Sequence, residues 1–146
     1  MTATLYTIGF TGKSAQEFFG IIQTSQVKKV VDVRLKNVSQ LAGFAKRDDL
    51  RFFLRSLCGC DYEHRPEWAP TEELLEGFKK KRIGWDEYER GFAAVLDQRL
   101  CGGDIASESL SDVCLLCSEP TADHCHRRLL AERFQTMCPG LAVRHL

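Results

Sequence analysis

The chain opens on an apolar run, Leu5-Tyr6-Thr7-Ile8, that is stopped by Gly9 and reads as a first strand. Beyond it, Ala15, Phe18, Phe19 and Ile22 recur at helical spacing. Ser14, with Glu17 three residues later, forms a capping-box pattern that places the helix start just after Ser14. The segment from Val27 to Leu35 predicts a second strand, β-branched in its middle. After an irregular stretch over 36–46, Leu50, Phe53, Leu54 and Leu57 mark a second amphipathic helix ending near Gly59. Asp61 to His64 reads as a short strand, and Pro66 and Pro70 punctuate the loop behind it. Thr71, followed by Glu72 and Glu73, opens a third helix with Leu74, Leu75 and Phe78 on its buried side. Trp85, Tyr88, Phe92, Val95, Leu96 and Leu100 form the stripe of a longer fourth helix, and 101–112 is a polar connector. Val113-Cys114-Leu115-Leu116-Cys117 is apolar at every position, the pattern of a strand covered on both faces. A last helix carries Leu129, Leu130, Phe134 and Met137, with Asp123 as its expected cap. Pro139-Gly140 ends it before a closing strand over 141–146.

Strands alternating with helices in this order predict an α/β fold. The expected form is a single three-layer domain over residues 1–146, Rossmann-like, with a mostly parallel sheet and helices on both faces. Ligands of such sheets sit beyond the carboxyl ends of the strands. Gly9 follows the first strand, Asp32 and Arg34 share a face at the end of the second, and Cys117-Ser118-Glu119 follow the buried one. Eight residues after Cys117 comes Cys125-His126-Arg127. A parallel topology gathers these groups at one edge. Cys125 and His126 are expected in the first turn of the last helix, where free N–H groups and the helix dipole favour a thiolate or a bound anion.

The catalytic candidates are therefore Cys117, Glu119, Cys125 and His126: thiols for nucleophilic or redox chemistry, a carboxylate and an imidazole for moving protons. Gly9, Asp32, Arg34 and Arg127 are the candidates for binding substrate, the arginines as planar forks for a carboxylate or phosphate. Each has a packing alternative. Cys117 can be the last buried residue of its strand, Asp32 and Arg34 a structural ion pair, and Gly9 a turn glycine.

Composition narrows the functions. With 146 residues, 44% of them hydrophobic, the chain can bury a core unaided. Twenty Lys and Arg balance twenty Asp and Glu, which disfavours a globally basic nucleic-acid binder. No run is long enough for a membrane span, and the start of the chain shows no secretory pattern. Seven cysteines, an odd number, fit free thiols in a reducing, cytoplasmic setting. The lone Cys-x-x-Cys, Cys114 to Cys117, lies within the apolar strand, where the two side chains point to opposite faces and cannot share a metal. Glycine-rich nucleotide loops, the zinc-deaminase signature and the Gly-x-Ser-x-Gly elbow are all missing. Lys79-Lys80-Lys81-Arg82 reads as a solvated helix end.

Thr7-Ile8-Gly9-Phe10, Asp32-Val33-Arg34, and Leu115-Leu116-Cys117-Ser118-Glu119 with Cys125-His126-Arg127, in that order, resemble the domain of unknown function 488 family. The resemblance implies an α/β fold and a cluster of Cys117, Glu119, Cys125, His126 and Arg127 with Asp32 and Arg34 opposite; it implies no reaction. The chain departs from the family's usual form at Phe10-Thr11 and at Glu67-Trp68-Ala69-Pro70, which bear on the pocket walls. Three readings follow. The first is an enzyme acting on a small anionic or nucleotide-like substrate through this cluster, with a thiol–disulfide cycle between Cys117 and Cys125 as a variant. The second is a zinc or iron protein using the same side chains. The third is a nucleic-acid-associated module with a basic patch from Lys79 to Arg82 joined by Arg51 and Arg55. No cofactor is assigned.

Overall fold

Val113–Cys117 is buried at all five positions, and the domain is built around it. The computed structural model describes residues 3–38, 43–100, 105–119, 122 and 124–146. Within them lie five strands: β1 (Thr4–Gly9), β2 (Lys29–Asp32), β3 (Asp61–His64), β4 (Val113–Cys117) and β5 (Ala142–His145). The helices are α1 (Ala15–Ser25), α2 (Arg47–Cys58), α3 (Glu72–Lys79), α4 (Trp85–Arg99), the single turn α5 (Ser107–Leu110) and α6 (His126–Met137). The sheet has the order β3-β2-β4-β1-β5, and every pairing is parallel.

The period-two alternation of the strands divides the core into two layers. Leu5, Val31, Val113, Leu115 and Cys117 face α4 and α6. Ile8, Val30, Cys114 and Leu116 face α1 and α2, meeting Phe18, Phe19, Ile22, Leu50 and Leu54. Cys114 and Cys117 thus belong to opposite layers, as the odd spacing requires. Among the described residues, no helix is long and apolar enough to cross a membrane.

Local signals set most boundaries. Ser14 accepts from the Glu17 amide while the Glu17 side chain returns to the Ser14 amide, closing the capping box of α1. Thr71 caps α3 through the Leu74 amide, and Gly59 ends α2 in the left-handed conformation at φ 59°. Three boundaries differ from expectation. β2 stops at Asp32 rather than running to Leu35, because the Asp32 carboxylate accepts the Arg34 amide and turns the chain. The connector over 101–112 contains the turn α5, held by the Ser109 hydroxyl donating to the Ala106 carbonyl; residues 101–104 lie outside the described ones. The cap of α6 is Cys125, so Cys125 precedes the helix and His126 is its first residue; the expected cap, Asp123, lies outside the described residues.

The topology puts β4 at the switch point. From β1 the chain crosses β4 to reach β2 and β3, then returns to the centre and leaves for β5. The carboxyl ends of β1, β4 and β2 are neighbours there, with Gly9 opposite Cys117 and Asp32 opposite Leu116. This is where an open parallel sheet offers a crevice.

Candidate active site

Cys117 ends β4, and Cys125 caps α6 on the same layer. Their Sγ atoms face each other, with Cα atoms 7.9 Å apart. That spacing exceeds the ~4.4–6.8 Å usual for a bridged pair, so a covalent bond here draws the end of β4 and the cap of α6 together. Each cysteine is only 1% exposed and is reached through the cleft described below.

Arg127, in the first turn of α6, lies fully buried over the strand ends. Its Nη1 donates to Cys117 Sγ at 3.1 Å, to Cys125 Sγ at 3.5 Å and to the Glu119 carbonyl at 2.7 Å. Nε donates to Thr7 Oγ1 at 3.3 Å, and Thr7 shares a 2.6 Å hydrogen bond with His145 Nδ1. Nη2 is buried without a partner among the described residues. No carboxylate pairs with this guanidinium in the same set. A buried cation costs several kcal/mol unless something negative meets it. What meets it here is sulfur. Burial lowers the Arg127 pKa, while Cys114 and then the Glu119 charge pull it the other way. Burial and then the charge of Arg127 lower that of Lys13, whose Nζ donates to the Gly9 carbonyl at 2.8 Å.

Gly9 has a role that composition alone hides. A Cβ there would sit 1.5 Å from the Glu119 carbonyl oxygen and 2.9 Å from Arg127 Nη1. Only glycine lets the Glu119 backbone lie against β1, which brings that carbonyl to Arg127. The Glu119 side chain is exposed and lines the cleft.

His126 points back to the end of β2, where Nε2 is 2.7 Å from the Val33 carbonyl. Since a carbonyl only accepts, Nε2 carries the proton and Nδ1 keeps the lone pair. Burial, joined by the charge of Arg127, lowers its pKa to about 4, while the Val33 hydrogen bond and Asp32 pull the other way. The imidazole is neutral at pH 7.

Asp32 and Arg34 form a closed pair beside this cluster. Arg34 Nε and Nη2 meet Oδ1 and Oδ2 at 2.8 and 2.7 Å, and both residues are buried. Tyr62 and Asn37 also donate to Oδ2, at 2.6 and 3.2 Å. Burial alone would raise the carboxyl pKa, but the Arg34 bonds and charge, with Tyr62 and Asn37, outweigh it and hold it below the ordinary value. The Phe10 ring lies under the Arg34 guanidinium at 5.2 Å, and Nη1 has no hydrogen-bond partner among the described residues.

Over the sulfur pair opens a cleft of about 820 Å³. Cys117, Cys125 and His126 line its base, Phe78 and Tyr88 an apolar wall, and Lys79, Lys81 and Arg82 its rim. The basic run read from sequence as a solvated helix end is exposed, and it also borders the site. Arg51 and Arg55 do not join it; they border a hollow at the amino ends of β2 and β3, with Lys29 and Asp61. Of the eight sequence candidates, Cys117, Cys125, Arg127, the Glu119 backbone and Gly9 meet directly. His126 adjoins them. Asp32 and Arg34 bond chiefly to each other. Sequence reasoning missed Tyr62 and Asn37 as the partners of Asp32, and Tyr88 as a wall; it placed Tyr88 correctly on the buried stripe of α4 without pointing to a cleft.

Fold and site together define an all-parallel α/β domain with two facing cysteines and, at its switch point, a buried arginine that has no ion pair among the described residues. The family model described as "Domain of unknown function DUF488" matches residues 14–134, and the chain belongs to that family. The match contains the Asp32-Val33-Arg34 and Cys117-to-Arg127 motifs, while Thr7 and Gly9 precede it. No curated protein and no solved structure matches the chain.

Proposed function

We propose that the protein is an enzyme acting on a small anionic substrate, with a cysteine of the Cys117–Cys125 pair as nucleophile. The observation that carries this reading is the placement of Arg127, a fully buried guanidinium that donates to both sulfurs and has no carboxylate partner among the described residues. In reduced protein it is the counterion of a thiolate, through charge-assisted hydrogen bonds. The rim of Lys79, Lys81 and Arg82 concentrates anions at the cleft. Neutral His126 supplies a lone pair at the cleft base, and Glu119 a carboxylate at its margin.

The metal reading has less support. A cation added between the sulfurs would face Arg127 Nη1, already within 3.5 Å of both. Among the described residues, no three His, Cys, Asp or Glu side chains converge as a ligand set. The nucleic-acid reading has less support as well, because Arg51 and Arg55 lie at the other strand ends and do not extend the Lys79–Arg82 patch.

The test compares alkylation of reduced protein by iodoacetate, an anion, and by neutral iodoacetamide. The expected result is a rate ratio favouring iodoacetate over that of a free thiol, falling with added salt and in a Lys79→Ala/Lys81→Ala/Arg82→Ala variant. An unchanged ratio in that variant would remove the anion-directed reading.

A further inference from the structure

We infer that Cys117 and Cys125 act as a redox couple that reduces a small disulfide bearing carboxylate or similar anionic groups. This rests on the anion-directed thiol reading above and names its reaction and substrate class. Three observations lead to it. Both sulfurs touch one nitrogen, Arg127 Nη1, so a single buried charge serves whichever sulfur is ionised. The two cysteines belong to different elements, the end of β4 and the cap of α6, and their sulfurs face each other without a side chain between them. A cleft of about 820 Å³ with a basic rim and an apolar wall far exceeds what a peroxide requires, and suits an organic disulfide with charged ends.

Cys117, nearer the guanidinium at 3.1 Å, attacks one sulfur of the substrate as thiolate. A protein–substrate mixed disulfide forms, the substrate's S–S bond breaks, and the first substrate half leaves as thiolate. Cys125, now the group facing Arg127 Nη1, loses its proton to solvent and attacks the Cys117 sulfur. The Cys117–Cys125 bond forms and the second half leaves as thiolate. Overall the protein dithiol is oxidised by two electrons and the substrate disulfide is reduced to two thiols; a dithiol reductant reverses the protein step. Oxidation also leaves Arg127 without a thiolate, so Arg127 speeds the attack by Cys117 but lessens the drive to close the Cys117–Cys125 bond; the substrates that fit are disulfides whose thiols are themselves acidic and leave readily.

Three of the other described cysteines compete poorly. Burial raises the thiol pKa of Cys58, of Cys60 to about 12, and of Cys114 further still. The experiment mixes fully reduced protein with dithiobis(nitrobenzoate), a disulfide with two carboxylates, and with the dication cystamine. The first reaction is followed by colour release and the second by loss of protein thiols in timed samples, and the products are mapped by peptide mass. The expected result is rapid release of two thionitrobenzoates per chain with a Cys117–Cys125 crosslink, and a preference for this reagent over cystamine roughly tenfold greater than that of a free small-molecule thiol, a comparison that cancels the difference in leaving groups. Cys125→Ser should release one and retain a mixed disulfide on Cys117, and Cys117→Ser should lose the fast phase. Arg127→Lys, which keeps a charge, should recover part of the rate lost in Arg127→Met. Rapid release of one equivalent that stops at a mixed disulfide in the unaltered protein overturns the redox couple and leaves the anion-directed nucleophile standing. A preference between the two disulfides no greater than that of the free thiol overturns both.

Discussion

Two arginines are buried at adjoining strand ends, and their surroundings differ in kind. Arg34 faces a carboxylate, Asp32, that is itself held by Tyr62 and Asn37. Arg127 faces two sulfurs, a hydroxyl and a carbonyl. The first arrangement meets most of its hydrogen-bonding capacity and fixes the turn that ends β2. The second has no ion pair with a carboxylate among the described residues; the Glu119 charge acts on it only from a distance, and ionisation of a cysteine, or arrival of an anion, neutralises it directly. Burial of a cation is thus a structural device in one place and a chemical one in the other, and substitutions should separate the two.

The largest expected effect is on the closed pair. Asp32→Ala leaves Arg34 buried without its carboxylate and should cost about 3–5 kcal/mol in denaturant unfolding. By contrast Arg127→Met, which removes a buried charge lacking a carboxylate, should change stability by about 1 kcal/mol or less, with either sign. Equal losses for the two variants would erase the distinction.

His126 connects the regions, since its Nε2 holds the Val33 carbonyl beside Asp32 while the ring borders the cleft. Its pKa is about 4 in the folded protein against 6.5 ordinarily, so the unfolded chain binds the extra proton between these values. Stability should therefore be complete above about pH 6.5 and fall by about 3 kcal/mol as the pH drops to 4. His126→Gln should flatten that slope in unfolding curves collected across the range. Asp32 adds a separate loss at lower pH, because its depressed pKa stabilises the fold above the ordinary carboxylate value and is lost as the pH falls through the folded one.

Gly9→Ala should cost about 1–3 kcal/mol, the range of overpacking, as the Glu119 backbone moves off β1. The same displacement withdraws the Glu119 carbonyl from Arg127, so thiol reactivity should change in parallel with thermal stability. The smallest effect on stability is expected at the rim. Lys79→Ala/Lys81→Ala/Arg82→Ala should stay within about 0.5 kcal/mol of the unaltered protein while slowing anionic reagents.

The sequence carried the architecture further than the chemistry. Capping at Ser14 and Thr71, the continuous apolar strand at 113–117 and the Gly59 stop are local signals, and the structure follows them. The order of motifs at the strand ends was sufficient to collect Gly9, Asp32, Cys117 and Cys125 at one edge, because a parallel sheet has only one carboxyl edge. What the pattern could not supply was pairing across long separations. Tyr62 is thirty residues from Asp32, and Thr7 is 120 from Arg127. Arg34 finds its carboxylate two residues away, a pair the sequence already offered, whereas the Thr7 hydroxyl and the Cys117 sulfur reach Arg127 only in the fold. The Lys79–Arg82 run shows the same limit, being both a solvated helix end and the rim of the cleft.

The account turns on Arg127 as the counterion of a thiolate. Its most direct test is the pH dependence of iodoacetamide alkylation at Cys117 and Cys125 in reduced protein, resolved by peptide mass, beside the same measurement in Arg127→Met. One of the two thiols should titrate below the ordinary value of about 8.5 in the unaltered protein and rise above that position when Arg127 is replaced. Titration of both at or above the ordinary value, unmoved by the substitution, would contradict the assignment of Arg127 to sulfur chemistry.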